Sequence, residues 1–141
     1  MNQLQTPTLH SCIATRDYGI LRRCASYMMV CFGWKIIGEL PKQPKFILAV
    51  APHTSNWDFF VAIASVFSLN LKVSFLAKGS IFRWPVKSLL TAIGGIGVDR
   101  SHSHGVVGQM VEEFKAHEQF ILGIAPEGTR SKTIEWKTGF L

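Results

Sequence analysis

Past Lys45 the chain alternates between short unbroken apolar runs and longer stretches whose apolar residues recur every three or four positions. Unbroken runs of four to eight suit strands buried on both faces, whereas the three-to-four spacing suits a helix with one buried side. The pattern predicts strands over residues 46–51, 72–77, 95–98 and 120–125. Between them it predicts helices over 57–68, 85–93 and 104–117, the second opened by Pro85, whose missing N–H is no loss in a first turn. In the last helix Val107, Met110, Val111 and Phe114 are expected to face the core, with Glu112, Lys115 and Glu118 turned away. Strands alternating with helices predict an α/β fold: a mainly parallel sheet with flanking helices.

Upstream the pattern is different. Residues 1–17 are polar, contain Pro7 and show no apolar period, which reads as a loose tail. In 18–44, Arg22 and Arg23 precede an uncharged segment, 24–34, that holds Tyr27, Met28, Met29, Val30, Phe32 and Trp34; Lys35 ends it. Two readings fit. One is an interfacial helix with its aromatics below lipid headgroups and the basic residues near phosphates; the other is a helix packed on the domain. A secretory signal fits poorly, because the basic residues come late and no small-residue cleavage site follows. Pro41, Lys42 and Pro44 mark a linker, so the expected organisation is a tail (1–17), a helix with its linker (18–44) and a compact domain (45–141).

Composition narrows the class of partner. The 141 residues suit one domain, and 48% hydrophobic with 17% charged residues is globular rather than disordered. A formal charge of +6 favours anionic partners, whether phosphates, nucleic acid or an acidic membrane face, without choosing among them. Cys12, Cys24 and Cys31 are odd in number and lack a C-x-x-C spacing, as free thiols in a reducing compartment would. The longest largely apolar uncharged run, 59–71, is thirteen residues, and a spanning helix needs about twenty, so no transmembrane helix is expected.

The conspicuous polar residues follow the predicted strands: His53 after the first, Lys78 after the second, Asp99 and Arg100 after the third, Glu127 to Arg130 after the fourth. In a parallel sheet the carboxyl ends of the strands share one edge, with a ligand crevice outside it, so His53, Asp58, Lys78, Arg100, Glu127 and Arg130 are expected to converge there. His53 in the turn and Asp58 in the first helical turns form a possible dyad, the carboxylate fixing the imidazole tautomer and stabilising the imidazolium formed on taking a proton. The alternative is a backbone-satisfied histidine and a carboxylate serving only the helix N-terminus. Arg100 and the Glu127-Gly128-Thr129-Arg130 turn suit an oxyanion, through planar guanidinium donors and backbone amides brought close by glycine; the alternatives are a surface arginine and a local ion pair. His102 and His104 form an H-x-H with no acidic or thiol partner nearby, and are read as solvent-exposed rather than metal ligands. Gly94-Gly-Ile-Gly97 lacks the third glycine of a dinucleotide fingerprint, and no G-x-S-x-G elbow is present.

Four stretches, APHTSNWD (51–58), FLAKGSIFRWP (75–85), GIGVDRS (95–101) and APEGTRS (125–131), together resemble the lysophospholipid acyltransferase family, the group around glycerol-phosphate and 1-acylglycerol-3-phosphate acyltransferases. The resemblance implies His53 as general base oriented by Asp58, with Lys78, Arg100, Glu127, Gly128, Thr129 and Arg130 binding substrate. It implies acyl-CoA or acyl-carrier protein as co-substrate, with no bound cofactor and no metal. The implied acceptor is a lysophospholipid, foremost 1-acylglycerol-3-phosphate, in phospholipid biosynthesis. The N-terminal segment departs from the family: it is too short for a spanning anchor, which suggests a peripheral enzyme on the cytoplasmic face of a membrane, and no nucleic-acid partner is expected. Family members usually continue with a further helix, a strand and a proline-containing block. Without these the domain over 45–141 is expected to be C-terminally incomplete, with a sheet edge exposed. Two other readings compete: a truncated, catalytically silent lipid-binding domain, and a metal-dependent hydrolase using His53, Asp58, His102 and Glu127.

Overall fold

All four predicted strands and all three predicted helices form, with bounds within two residues of those expected. A computed structural model describes residues 7–51, 56–79, 85–98 and 103–125, at 56, 77, 78, 103 and 104 by backbone alone. In chain order the elements are α1 (Ile20–Cys31), β1 (Lys45–Ala49), α2 (Asn56–Ser68), β2 (Val73–Lys78), α3 (Val86–Ala92), β3 (Gly95–Val98), α4 (Ser103–Ala116) and β4 (Phe120–Ile124). The strands make one sheet in the order β1-β4-β2-β3, every pairing parallel. β4 is thus inserted between β1 and β2, with Ile121 opposite both Phe46 and Val73.

Strand alternation splits the core into two layers. On one face Ile121, fully buried, packs with Val73, Phe46, Leu48 and the end of α2. On the other, Phe120, Leu122 and Val98 pack under Val106, Met110 and Phe114 of α4. The helices after β1 and β3 therefore lie on opposite faces, as they must when two crossovers of the same hand run in opposite directions across a sheet.

The expected inner side of α4 is corrected in part. Met110 and Phe114 do face the sheet, but their partner is Val106, whereas Val107 and Val111 are 57% and 44% exposed. The buried stripe is i, i+4, i+8, and 107 and 111 lie further round the helix, beyond the sheet's reach.

The tail reading also gives way within residues 7–17. Ile13 and Ala14 are 2% and 3% exposed and belong to the first core layer. Thr15 makes an antiparallel bridge to Leu71, Lys72 N–H donates to Ala14 C=O at 2.9 Å, and the Arg16 guanidinium donates to Ala92 C=O at 2.9 Å. One polar side chain that suggested a tail, Arg16, bonds to a backbone carbonyl across the domain, and two adjacent apolar residues are too few to show a period. Tyr18 extends the seam: its hydroxyl donates to Leu71 C=O, and burial raises its pKa, partly offset by Arg16 beside its ring.

Of the two readings for the segment 18–44, packing accounts for one side of α1. Ala25 and Met29 bury against Ala64 of α2, with Trp34, Ile36 and Phe67 around them. Ile20, Tyr27 and Phe32 remain exposed, and the thiols of Cys12, Cys24 and Cys31 are free.

The α4 carboxyl end is tied to the sheet by one charge: Lys45 Nζ donates to Phe114 C=O at 2.6 Å. A cation there satisfies an orphan carbonyl and complements the helix dipole. Lys45→Met is expected to cost about 1–2 kcal/mol, read as a lower urea midpoint at unchanged slope; an unshifted midpoint would show the bond contributes nothing.

Candidate active site

Because every pairing is parallel, the carboxyl ends of all four strands lie on one edge. Ala49 is opposite Ile124 and the Val50 N–H donates to Ile124 C=O at 2.8 Å, so β1 and β4 end together. Lys78 is opposite Val98, so β2 and β3 do likewise. Each of the four sequence blocks contains one of these strand ends or begins just after it.

Of the predicted site residues, Asp58 and the backbone of Lys78 are described; His53, Arg100, Glu127, Gly128, Thr129 and Arg130 lie outside the described residues. Asp58 is in the first turn of α2, where the helix dipole favours a carboxylate, and is partly buried. Lys78 is the last residue of β2. The H-x-H is split: His102 lies outside the described residues, and His104 is in the first turn of α4 by its backbone. Among the described residues no group of three His, Cys, Asp or Glu is placed to hold a metal.

Sequence reasoning overlooked an aromatic shelf next to Asp58. Trp57 and Phe60, one helical turn apart, are 74% and 57% exposed with ring centroids 5.8 Å apart, and Phe59 stands edge-on to Phe60 and to Phe75 of β2. Their spacing across the first turn of α2 was the available signal, since a helix that turns aromatics to every side cannot bury them all against one sheet. A cleft of about 640 Å³ lies further along α2, lined by Met29, Trp34, Ile36, Val61 and Ser65 among others. It contains none of the predicted site residues.

A family model described as Acyltransferase matches residues 35–141. The chain belongs to the acyltransferase family. This is the family of glycerol-phosphate and 1-acylglycerol-3-phosphate acyltransferases, and the all-parallel α/β sheet agrees with it. No curated protein and no solved structure gives a match. The acyltransferase match takes in the loop after α1 and all four strands, so the edge carrying Asp58 and Lys78 lies wholly inside it.

Proposed function

We propose that this acyltransferase moves a fatty acyl group from acyl-CoA or acyl-carrier protein to the hydroxyl of a lysophospholipid, foremost 1-acylglycerol-3-phosphate, in phospholipid biosynthesis. The observation that carries the reading is the shared edge: four parallel strands end there, at the chain positions that lead into the four blocks. His53 is three residues before the first residue of α2 and Asp58 is in its first turn, so the dyad needs only that short turn to close.

In the proposed step the His53 imidazole takes the acceptor's hydroxyl proton as the oxygen attacks the thioester carbonyl. The tetrahedral intermediate then collapses, the C–S bond breaks, and the thiolate leaves and is protonated as the ester forms. Asp58 stabilises the imidazolium. The three cysteines lie outside the four blocks, which favours direct transfer over a cysteinyl acyl-enzyme. Arg100 and residues Glu127 to Arg130 hold the acceptor phosphate with Lys78, and the shelf of Trp57 and Phe60 offers apolar area for a chain.

The test is acyl transfer to lysophosphatidate and to a phosphate-free acceptor. Arg130→Ala is expected to raise the acceptor KM about tenfold or more, the loss of a charge-assisted bond, with a smaller effect on the donor. Equal use of both acceptors by the unmodified protein would remove the phosphate role.

The same reading places the enzyme on a membrane surface. No helix among the described residues is long and apolar enough to cross a membrane. The outward side of α1, with Ile20 and Tyr27 exposed beside Arg22 and Arg23, suits shallow insertion at an anionic interface. Replacing both arginines by glutamine is expected to weaken co-sedimentation with phosphatidylserine vesicles roughly 30-fold, at about 1 kcal/mol per charge. Unchanged binding would place the contact elsewhere.

A further inference from the structure

α1 buries Ala25 and Met29 against α2 and turns a broad apolar sector the other way. At about 100° per residue, Ile20, Leu21, Cys24, Tyr27 and Cys31 fall within roughly 120° of one another around the helix. All five are exposed. Arg22, Arg23 and Ser26 take the remaining flank, where with Asp17 and Gly19 they line a shallow cleft. Cys24 and Cys31 lie at the middle of the apolar sector, within about 20° of each other.

Free cysteine is among the residue types most often buried. Cys12 keeps to that habit: it is half-buried against the first core layer, its Sγ 3.2 Å from His10 Nδ1. The two thiols of α1 do not. They cannot bridge each other, because two turns of helix separate their Cα atoms by about 10 Å and a disulfide allows about 7 Å at most. No group of three His, Cys, Asp or Glu among the described residues is placed for a metal. The proposed transfer uses neither thiol. What surrounds them is apolar side chain with arginines alongside, the setting in which an amphipathic-helix cysteine meets a fatty acyl thioester at a lipid interface. α1 is also short, at twelve residues. Reversible attachment of this kind becomes stable when an acyl chain joins a basic patch.

We infer that Cys24 and Cys31 are S-acylation sites, which take a long-chain acyl group from a fatty acyl thioester and hold it as a lasting anchor in the membrane. The cysteine thiol loses its proton and its sulfur attacks the thioester carbonyl carbon. A new C–S bond forms as the donor's C–S bond breaks, and the departing thiolate takes up a proton. One thioester replaces another, so no oxidant, reductant or further energy source is needed. The acyl chain then enters the bilayer beside Ile20 and Tyr27. The inference rests on the reading of α1 as the membrane-facing helix and not on the reaction assigned to His53.

The experiment incubates the reduced full chain with palmitoyl-CoA in phosphatidylserine vesicles and follows its intact mass, hydroxylamine then being added to cleave thioesters. Hydroxylamine-labile palmitoyl groups are expected, and the double variant Cys24→Ser/Cys31→Ser should gain them at least about tenfold more slowly, its residual rate measuring Cys12. Both serines stand at exposed positions, and an unchanged Tm reports an intact fold. Palmitoylated Arg22→Gln/Arg23→Gln should hold vesicles at least about 100-fold more tightly than the same variant unmodified. Adducts that persist in the double serine variant, resist hydroxylamine or leave vesicle binding unchanged overturn the inference. Vesicle binding without acylation overturns it while sparing the membrane reading of α1, whereas no binding at all removes both. A sedimenting dimer that shields both thiols also overturns it, assigning the sector to a second copy.

Discussion

Replacing His53 by alanine is expected to lower kcat for acyl transfer to lysophosphatidate by about 10²–10⁴, the usual contribution of a positioned general base. Acceptor KM should change little, because the imidazole acts on the hydroxyl proton in the transition state and is not among the groups proposed to hold the phosphate. Asp58→Asn should follow the same pattern with a smaller loss. The amide retains the shape at the start of α2 but withdraws the charge that stabilises the imidazolium. Full activity in His53→Ala would abolish the proposed mechanism while leaving family membership untouched. A loss confined to KM would instead make His53 a binding residue.

The largest effect on stability is expected away from the site, at Gly94→Ala. Gly94 turns the chain from α3 into β3 with φ +96°, and a Cβ there would lie 2.2 Å from the Val73 carbonyl oxygen. Its own carbonyl accepts the Phe75 N–H at 2.9 Å, so it cannot withdraw without unpairing β2. The backbone strain costs roughly 1–3 kcal/mol. Overpacking against a sheet backbone adds about 1–3 kcal/mol more. At ~3 °C per kcal/mol for a domain of this size, Tm should fall by roughly 6–18 °C. Gly108→Ala is the control: it lies inside α4 with nothing within 4 Å of an added Cβ, and should be neutral or stabilise by up to about 1 kcal/mol. Equal melting of Gly94→Ala and the unmodified protein would mean the turn relaxes freely.

The glycine pair at 94–95 shows where sequence reading stops short. Comparison with a dinucleotide fingerprint set that function aside, but only the approach of Val73, a residue from a different strand, explains why glycine is required. Strand and helix positions were legible because burial imposes its period on each element separately. The sheet order was not, since inserting β4 between β1 and β2 depends on which strands meet and leaves no mark on any one of them. Val106 was missed for the same reason: period alone does not set which of two neighbouring stripes on α4 meets the sheet. At the site, the four blocks were legible as candidates for chemistry, and the parallel sheet puts the strand ends they contain or follow on one edge, while His53, Arg100 and Glu127 to Arg130 lie outside the described residues. The shelf of Trp57 and Phe60 was not legible, because an apolar residue on a helix reads as core until its neighbours are known.

The strand order also has a consequence in time. β1 bonds to no strand except β4 among the described residues, and about 70 residues separate them in the chain. During synthesis at ~5–20 residues per second, β1 therefore waits roughly 4–15 s for its partner. β2 and β3 can pair in the interval, whereas Phe46, Ile47 and Leu48 have no sheet to join. Ile13 and Ala14 can meet Leu69, Leu71 and Val73 earlier, but their cluster is completed only by Ile121. The nascent chain thus carries the apolar segment 46–48 without a strand partner until β4 emerges, which is the window in which a holding chaperone would matter most.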